Sequence, residues 1–380
     1  MRLQSVNFSE DEGEKQEWVL EGLTLGAINL IVGKNSSGKS RSLNVIGALA
    51  NNLMRLRPLS ASSKYDCQFE HESKVYQYSF KVIAQNVISE KLIIDDVVYL
   101  DRGEGGIGRI RAEAMDNADI QFQTPTNELA AATRRDSIQH SFLEPLYEWA
   151  SSLRHYHFGS TLGKDSYTVF QPAGQKVDDR DENAAVGVFR DGKKDFPEEF
   201  LAAVIKDMAS IDYHLENIDI IAPVSVRFVG LPGEPVGLCV KEKDLPGLTD
   251  QMSMSQGMYR VLSLLIHVNF FQLKKTATCV LVDDIGEGLD FDRSCRLIDL
   301  LREKANQSNI QIILSSNDRF IMNQVPLDEW SVLKRIGNHV WVKNYSNSKE
   351  KFEDFKFTGL SNFSFLEMDV INEQPEEESY

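Results

Sequence analysis

Eight consecutive residues, Gly33-Lys34-Asn35-Ser36-Ser37-Gly38-Lys39-Ser40, match the spacing G-x-x-x-x-G-K-[ST]. The pattern suits a loop that wraps phosphate. Its glycines let consecutive backbone N–H groups curl around anionic oxygens, and a helix starting at its end turns a positive pole toward the same charge. That dipole contributes only about 0.3–1 kcal/mol at an exposed site. A triphosphate therefore needs Lys39 to neutralise its β and γ oxygens and Ser40 to help hold Mg²⁺.

A second set of residues is acidic. Val280-Leu281-Val282-Asp283-Asp284 reads as an apolar strand ending in two carboxylates. Asp283 suits a Mg²⁺ held through water, and Asp284 stands where an acid would orient an attacking water. Glu287 competes for that second role, its alternative being a solvated loop acid. Ile310 to Leu314 similarly runs into Ser315-Ser316-Asn317-Asp318. Such strand ends are where open α/β sheets place ligands. Ser255-Gln256-Gly257 directly precedes the most apolar helical stretch; Ser255 can cap that helix and, with Gly257, offer N–H groups to an anion.

Positioning these groups requires particular elements. Residues 27–32 form a short apolar run, as in a strand buried on both faces, and Leu43, Ile46, Ala50 and Leu53 then share a helical face. Residues 65–100 alternate like strands, and 101–108 read as a glycine-rich loop. A helix is expected over 137–157, an exposed excursion over 159–195, and another helix from Pro197 through Met208. Strand character returns at 218–240. A long helix follows Ser255, with Lys274 and Lys275 suiting its C-terminal dipole, and a helix over 292–304 separates the two buried strands. Gln85 and Gln123 are both candidates for a Q-loop glutamine. The seven histidines have no metal spacing and read as structural.

The 380 residues carry 41 basic and 57 acidic side chains, net −16, with 42% hydrophobic and 26% charged residues. This is a globular composition, which excludes disordered and collagen-like classes. The acidic balance does not point to non-specific nucleic-acid binding, although a local basic groove stays open. The four scattered cysteines, Cys67, Cys239, Cys279 and Cys295, argue against a disulfide framework or zinc site and for a reducing cytoplasm. With no signal region and no apolar run of spanning length, neither export nor a membrane partner is expected.

The order of motifs — P-loop, an insertion from about 54 to 254, Ser-Gln-Gly, the Asp283-Asp284 strand, Gly288-Leu289-Asp290, then the 315–318 turn — resembles the heads of ABC/SMC-type ATPases over almost the whole chain. The Asn-Ser-Ser of the P-loop and the stretches 283–290 and 316–323 look most similar to short prokaryotic ATPases related to the OLD family, many of which serve in defence against phage. The resemblance implies a mixed α/β fold with an antiparallel β lobe and a helical insertion. It divides the chain into an N-terminal ATPase lobe (1–110), a mainly helical insertion (111–216), a C-terminal lobe (217–372) and an acidic disordered tail (373–380). It also implies ATP and Mg²⁺ as ligands, and a head-to-tail dimer in which Ser255 and Gly257 of one chain close over the γ-phosphate held by Gly33–Ser40 of the other. Asp290 would stand beside that interface, and Asn317 would replace the usual switch histidine. The shorter Asp284 and uncharged Asn317 predict slow turnover, suited to a switch. With about 60 residues after Asn317, too few for the TOPRIM nuclease of OLD proteins, a separate effector or toxin partner is expected. A RecF-like DNA-repair head and a nucleotide-dependent scaffold with little hydrolysis are the alternatives.

Overall fold

The computed structural model describes residues 1–169, 177–225 and 233–370. The expected acidic tail, 373–380, lies wholly outside these residues, as does part of the expected 218–240 strand region. Two compact units are present: residues 1–153 with the segment from Val325 onward, and Arg154–Gln324.

The first unit is built on a mixed sheet. Ile28–Val32, buried at every position, pairs in parallel with Trp330–Ile336; Trp18–Thr24 pairs in parallel with His339–Asn344. From there Arg2–Glu10, Ser62–His71, Lys74–Ile83, Asn86–Ile94, Val97–Arg102, Ile107–Ala112 and Ala118–Gln123 follow one another in antiparallel order. The period-two alternation of these strands puts Tyr65, Tyr76, Tyr78, Phe80 and Leu92 inside. The region read from sequence as a loop at 101–108 is mostly part of this meander, since Val97–Arg102 and Ile107–Ala112 are joined by one short turn. Glycine content there reflects the turn, not an absence of strands.

A buried polar cluster pins the lobe. Glu90 accepts from the Tyr78 hydroxyl at 2.8 Å and from the N–H groups of Ala130 and Ala131 at 2.6 and 2.8 Å. Arg102 lies 3.3 Å from it and donates to the carbonyls of Pro125 and Glu128. Every lone pair of a carboxylate removed from water thereby keeps a donor, which is the condition for burying it.

The helix Lys39–Leu53 follows the P-loop and buries Leu43, Ile46, Leu49, Ala50 and Leu53. It packs against the helix Glu144–Ser152, whose Trp149 ring meets Phe69 edge-on at 4.9 Å. That second helix stops at Ser152, so the helix expected through 157 is shorter than its apolar spacing suggests. Arg154–His157 instead forms a strand parallel to Thr278–Asp283. Local propensity yields there to a pairing more than 120 residues away in sequence, which three-to-four spacing does not report.

The second unit centres on three parallel strands ordered Arg154–His157, Thr278–Asp283 and Ile310–Ser315; the latter two are buried at every position. Its longer helices are Ala185–Asp195, Glu199–Ser210, Gln256–Lys274 and Phe291–Gln307. The first lies within the stretch expected to be an exposed excursion, and it buries Val186, Val188 and Phe189. Lys304 ties three of the helices together, reaching Asp207 at 2.7 Å and Asn269 at 3.0 Å. Strands Leu215–Ile221, Pro235–Glu242 and Thr249–Asp250 form a small antiparallel sheet just before the long helix. Among the described residues no helix is long and apolar enough to cross a membrane.

Candidate functional site

The P-loop lies wholly in the first unit, between a buried strand and an amphipathic helix. Gly38 takes φ +107° as that helix begins, a conformation that glycine adopts without a Cβ penalty, and Ser36 is also left-handed at φ 63°. Among the described residues no side chain caps this helix, and no acid lies in its first turn. The buried Ser37 hydroxyl has no hydrogen-bond partner among the described residues. An unfilled helix N-terminus and an orphaned hydroxyl fit an anion, and so fit the phosphate expected from the motif. Lys39 is buried, not a surface cation as loop placement would suggest; its ammonium donates to the Gly33 carbonyl at 3.0 Å. Arg335 donates to the Ser36 carbonyl at 3.2 Å, and Arg41 lies over the Trp18 ring at 4.3 Å while pairing with Glu10. Ser40 and Asn35 are exposed. The Q-loop candidates sit on the antiparallel lobe, Gln85 at a hairpin tip and Gln123 at the end of a strand.

The acidic set lies in the second unit. Asp283 ends its strand nearly buried, and the Ser315 hydroxyl donates to its carboxylate. The same Ser315 oxygen accepts the Asp284 N–H at 3.0 Å, while the Ile285 N–H donates to the Ser315 carbonyl at 2.9 Å. Asp284 itself is left-handed at φ 54°, a strained conformation of the kind that clusters at functional sites. Beyond it opens a cleft of about 420 Å³ lined by Asp284, Glu287, Ser316, Asn317 and Asp318 among others. The fold thus gathers Asp283, Asp284, Glu287 and Asn317 at the C-terminal ends of two adjacent parallel strands. Among the described residues no three His, Cys, Asp or Glu side chains form a metal-holding group. One carboxylate with hydroxyl and water ligands suits Mg²⁺, which keeps water and takes most other oxygens from a phosphate. On the neighbouring strand, where His155 stands level with Leu281, burial holds its imidazole near pKa 4 and neutral. His155 and His157 thus lie on a strand, not on the expected helix.

Ser255 caps the helix Gln256–Lys274, accepting the Met258 N–H at 3.2 Å. The long helix has the start that the sequence indicated. A Cβ on Gly257 would lie 2.6 Å from the Gly288 carbonyl oxygen, so this glycine permits a close approach between two backbones. Asp290 caps the next helix, accepting the Arg293 N–H at 3.0 Å, and pairs with the Arg293 guanidinium at 2.7 Å. The capping hydrogen bond holds its carboxyl below the usual range. Arg293 in turn lies over the Tyr213 ring at 4.4 Å. Tyr213, Arg293 and Arg260 have no motif of their own. A cation three to five positions after a cap was the only available signal.

A P-loop pattern between a buried strand and helix, parallel strands ending in acids, and a mixed sheet extended by an antiparallel lobe define the α/β architecture of ABC/SMC-type ATPase heads. The structure is similar, over 90% of its length and 97% of the other chain, to an SMC head bound to the C-winged helix domain of ScpA, with TM-score 0.53 and 12% identity. Weaker likenesses are to the SMC head domain from Thermotoga maritima (TM-score 0.45, 11% identity, 90% of this chain and 99% of that one). An SMC head with an extended coiled coil bound to the C-terminal domain of ScpA, from Pyrococcus furiosus, gives TM-score 0.49, 10% identity, and 93% and 99% coverage. At 12% identity the first of these likenesses shows the fold alone. No family model matches the sequence, and no curated protein matches it.

Proposed function

We propose that this chain is an ATPase head that pairs with a second copy around ATP and Mg²⁺. The observation that carries the reading is the Ser315-braced Asp283-Asp284 pair opening onto an acid-lined cleft at parallel strand ends, in a chain whose P-loop helix has no cap of its own. Gly33, Asn35, Ser36, Ser37, Gly38, Lys39 and Ser40 cradle the phosphates, with Lys39 as the neutralising cation. Ser40 and Asp283 hold Mg²⁺, which when bound offsets charge on the phosphate oxygens. Asp284 or Glu287 orients water, and Asn317 supplies an uncharged polar contact. Ser255 and Gly257 come from the neighbouring copy, with Asp290 at the same face. An acid as short as Asp284 reaches less far into the cleft than a glutamate would, which favours slow turnover. From the sequence resemblance the reading extends to a switch that holds or releases a separate effector, in the manner of prokaryotic defence systems; co-purification from the native operon tests that part.

The test of pairing is mass in solution with ATP and Mg²⁺, using Asp284→Asn to slow hydrolysis. Light scattering should show a doubled mass, and adding Ser255→Phe should return the chain to monomer while leaving nucleotide binding intact. A mass indifferent to nucleotide refutes the pairing.

A further inference from the structure

Arg260 is only 7% exposed, and its guanidinium is spent entirely on backbone. Nε donates to the Ser160 carbonyl at 2.8 Å, one terminal nitrogen to the Glu287 carbonyl at 2.8 Å, and the other to the Gly159 carbonyl. Gln256, one turn earlier on the same helix face, also reaches the Ser160 carbonyl, at 3.3 Å. The Glu287 carboxylate lies over Gly159, where a Cβ would come within 2.6 Å of Oε2, and Gly257 touches the Gly288 backbone. Three segments are thus fastened at one point: the start of the helix Gln256–Lys274, the turn after Arg154–His157, and the loop that follows Asp283-Asp284.

We propose that Arg260 is a positioning residue that makes the Ser255–Gly257 segment and the Glu287 loop of one chain move as a single piece. Docking of that segment on a second copy is then relayed to the docking chain's own acid loop. The inference rests on the head-to-tail pairing proposed above and adds a coupling between its two sites. The planar fork is what the arrangement demands. Three carbonyls on two segments are met by donors fixed in one plane, whereas a lysine ammonium is a single point charge on a flexible stem.

The experiment uses the full chain with Arg260→Lys and Arg260→Gln, checked for folding by thermal melting. Binding of a fluorescent ATP analogue and steady-state ATPase are measured on each. Analogue affinity should stay within about threefold of wild type while kcat falls by about tenfold or more, and the Hill coefficient for ATP should drop from above 1 to about 1. Lysine should not rescue. Gly159→Ala, which displaces Glu287 and leaves Arg260 in place, should lower kcat yet keep the Hill coefficient above 1. A folded Arg260→Lys chain with wild-type kcat and cooperativity overturns the proposal, as does a loss of turnover no greater than the loss of analogue binding. If Ser255→Phe leaves wild-type turnover untouched, head-to-tail pairing itself fails and the coupling falls with it. If neither Arg260 variant folds, an unchanged Hill coefficient in Gln256→Ala, which removes the adjoining contact to Ser160, refutes the proposal, and a reduced one supports it.

Discussion

Replacing Ser315 with alanine tests the brace beneath the acidic strand end. Ser315 is fully buried, donates to the carboxylate of the nearly buried Asp283 and accepts the Asp284 N–H at 3.0 Å. Alanine removes one hydrogen bond to a charged group, worth about 1.5–3 kcal/mol, and strands a donor at about 1–3 kcal/mol. Asp284 borders an open cleft, so water recovers part of the second loss, and the sum is about 2–4 kcal/mol. For a unit of this size each kcal/mol lowers Tm by about 2–4 °C, which gives a fall of about 4–16 °C. The matched control is Ser294→Ala. Ser294 is equally buried in the same unit, but its hydroxyl has no partner among the described residues, so its loss should be within about 0.5 kcal/mol of neutral. Thermal unfolding by circular dichroism reads both. If Ser315→Ala melts within a degree of wild type, or Ser294→Ala is just as damaging, the brace does not act as described.

Lys39→Ala should reduce ATP turnover by at least about a hundredfold with a small change in Tm, measured by phosphate release and melting; retained turnover refutes the P-loop role. Arg102→Met leaves the Glu90 charge buried without its cation and should cost about 3–5 kcal/mol, read by denaturant titration, with Glu90→Leu/Arg102→Met together costing less than the single change. Acid sensitivity should come partly from His267, which burial holds near pKa 4 against an ordinary 6.5. Its folded pKa is depressed, so only the unfolded chain takes up the proton in that window, and stability is lost as pH falls from about 6.5 toward 4. At pH 5.5 this amounts to about 1.4 kcal/mol. A His267→Gln variant, whatever its stability at pH 7.5, should lose about that much less on the same shift, and parallel pH profiles would contradict it.

The sequence was most informative where one residue type has few uses. Buried strands at Ile28–Val32, Thr278–Asp283 and Ile310–Ser315, and helices opening at Lys39 and Gln256, were all legible, because continuous apolar runs and three-to-four periodicity are local signals. The strand Arg154–His157 was not, because its existence depends on register with Val280–Asp283, and a lone His-x-His does not encode a distant partner. The helix Ala185–Asp195 was hidden by a polar, glycine-bearing composition whose few apolar residues share one buried face. Of the candidate residues, Lys39, Asp283 and Asp284 are marked by spacing alone. Arg260 could not, since three backbone carbonyls have no sequence signature. Ser255 and Asp290 carry a capping role in addition to any contact with a partner, so their presence alone does not distinguish the two.

Pairing of half-sites between chains is tested most directly by mixing two crippled variants. Lys39→Ala should lose its own phosphate cradle but still offer Ser255 and Gly257; Ser255→Phe should do the reverse. Each alone should be nearly inactive in phosphate release. Mixed in equal amounts, half of the dimers carry one intact composite site of two, so activity should recover to at most about a quarter of wild type, and less where the sites are coupled. A mixture no more active than its components, or a Ser255→Phe chain that hydrolyses ATP normally by itself, would contradict the account.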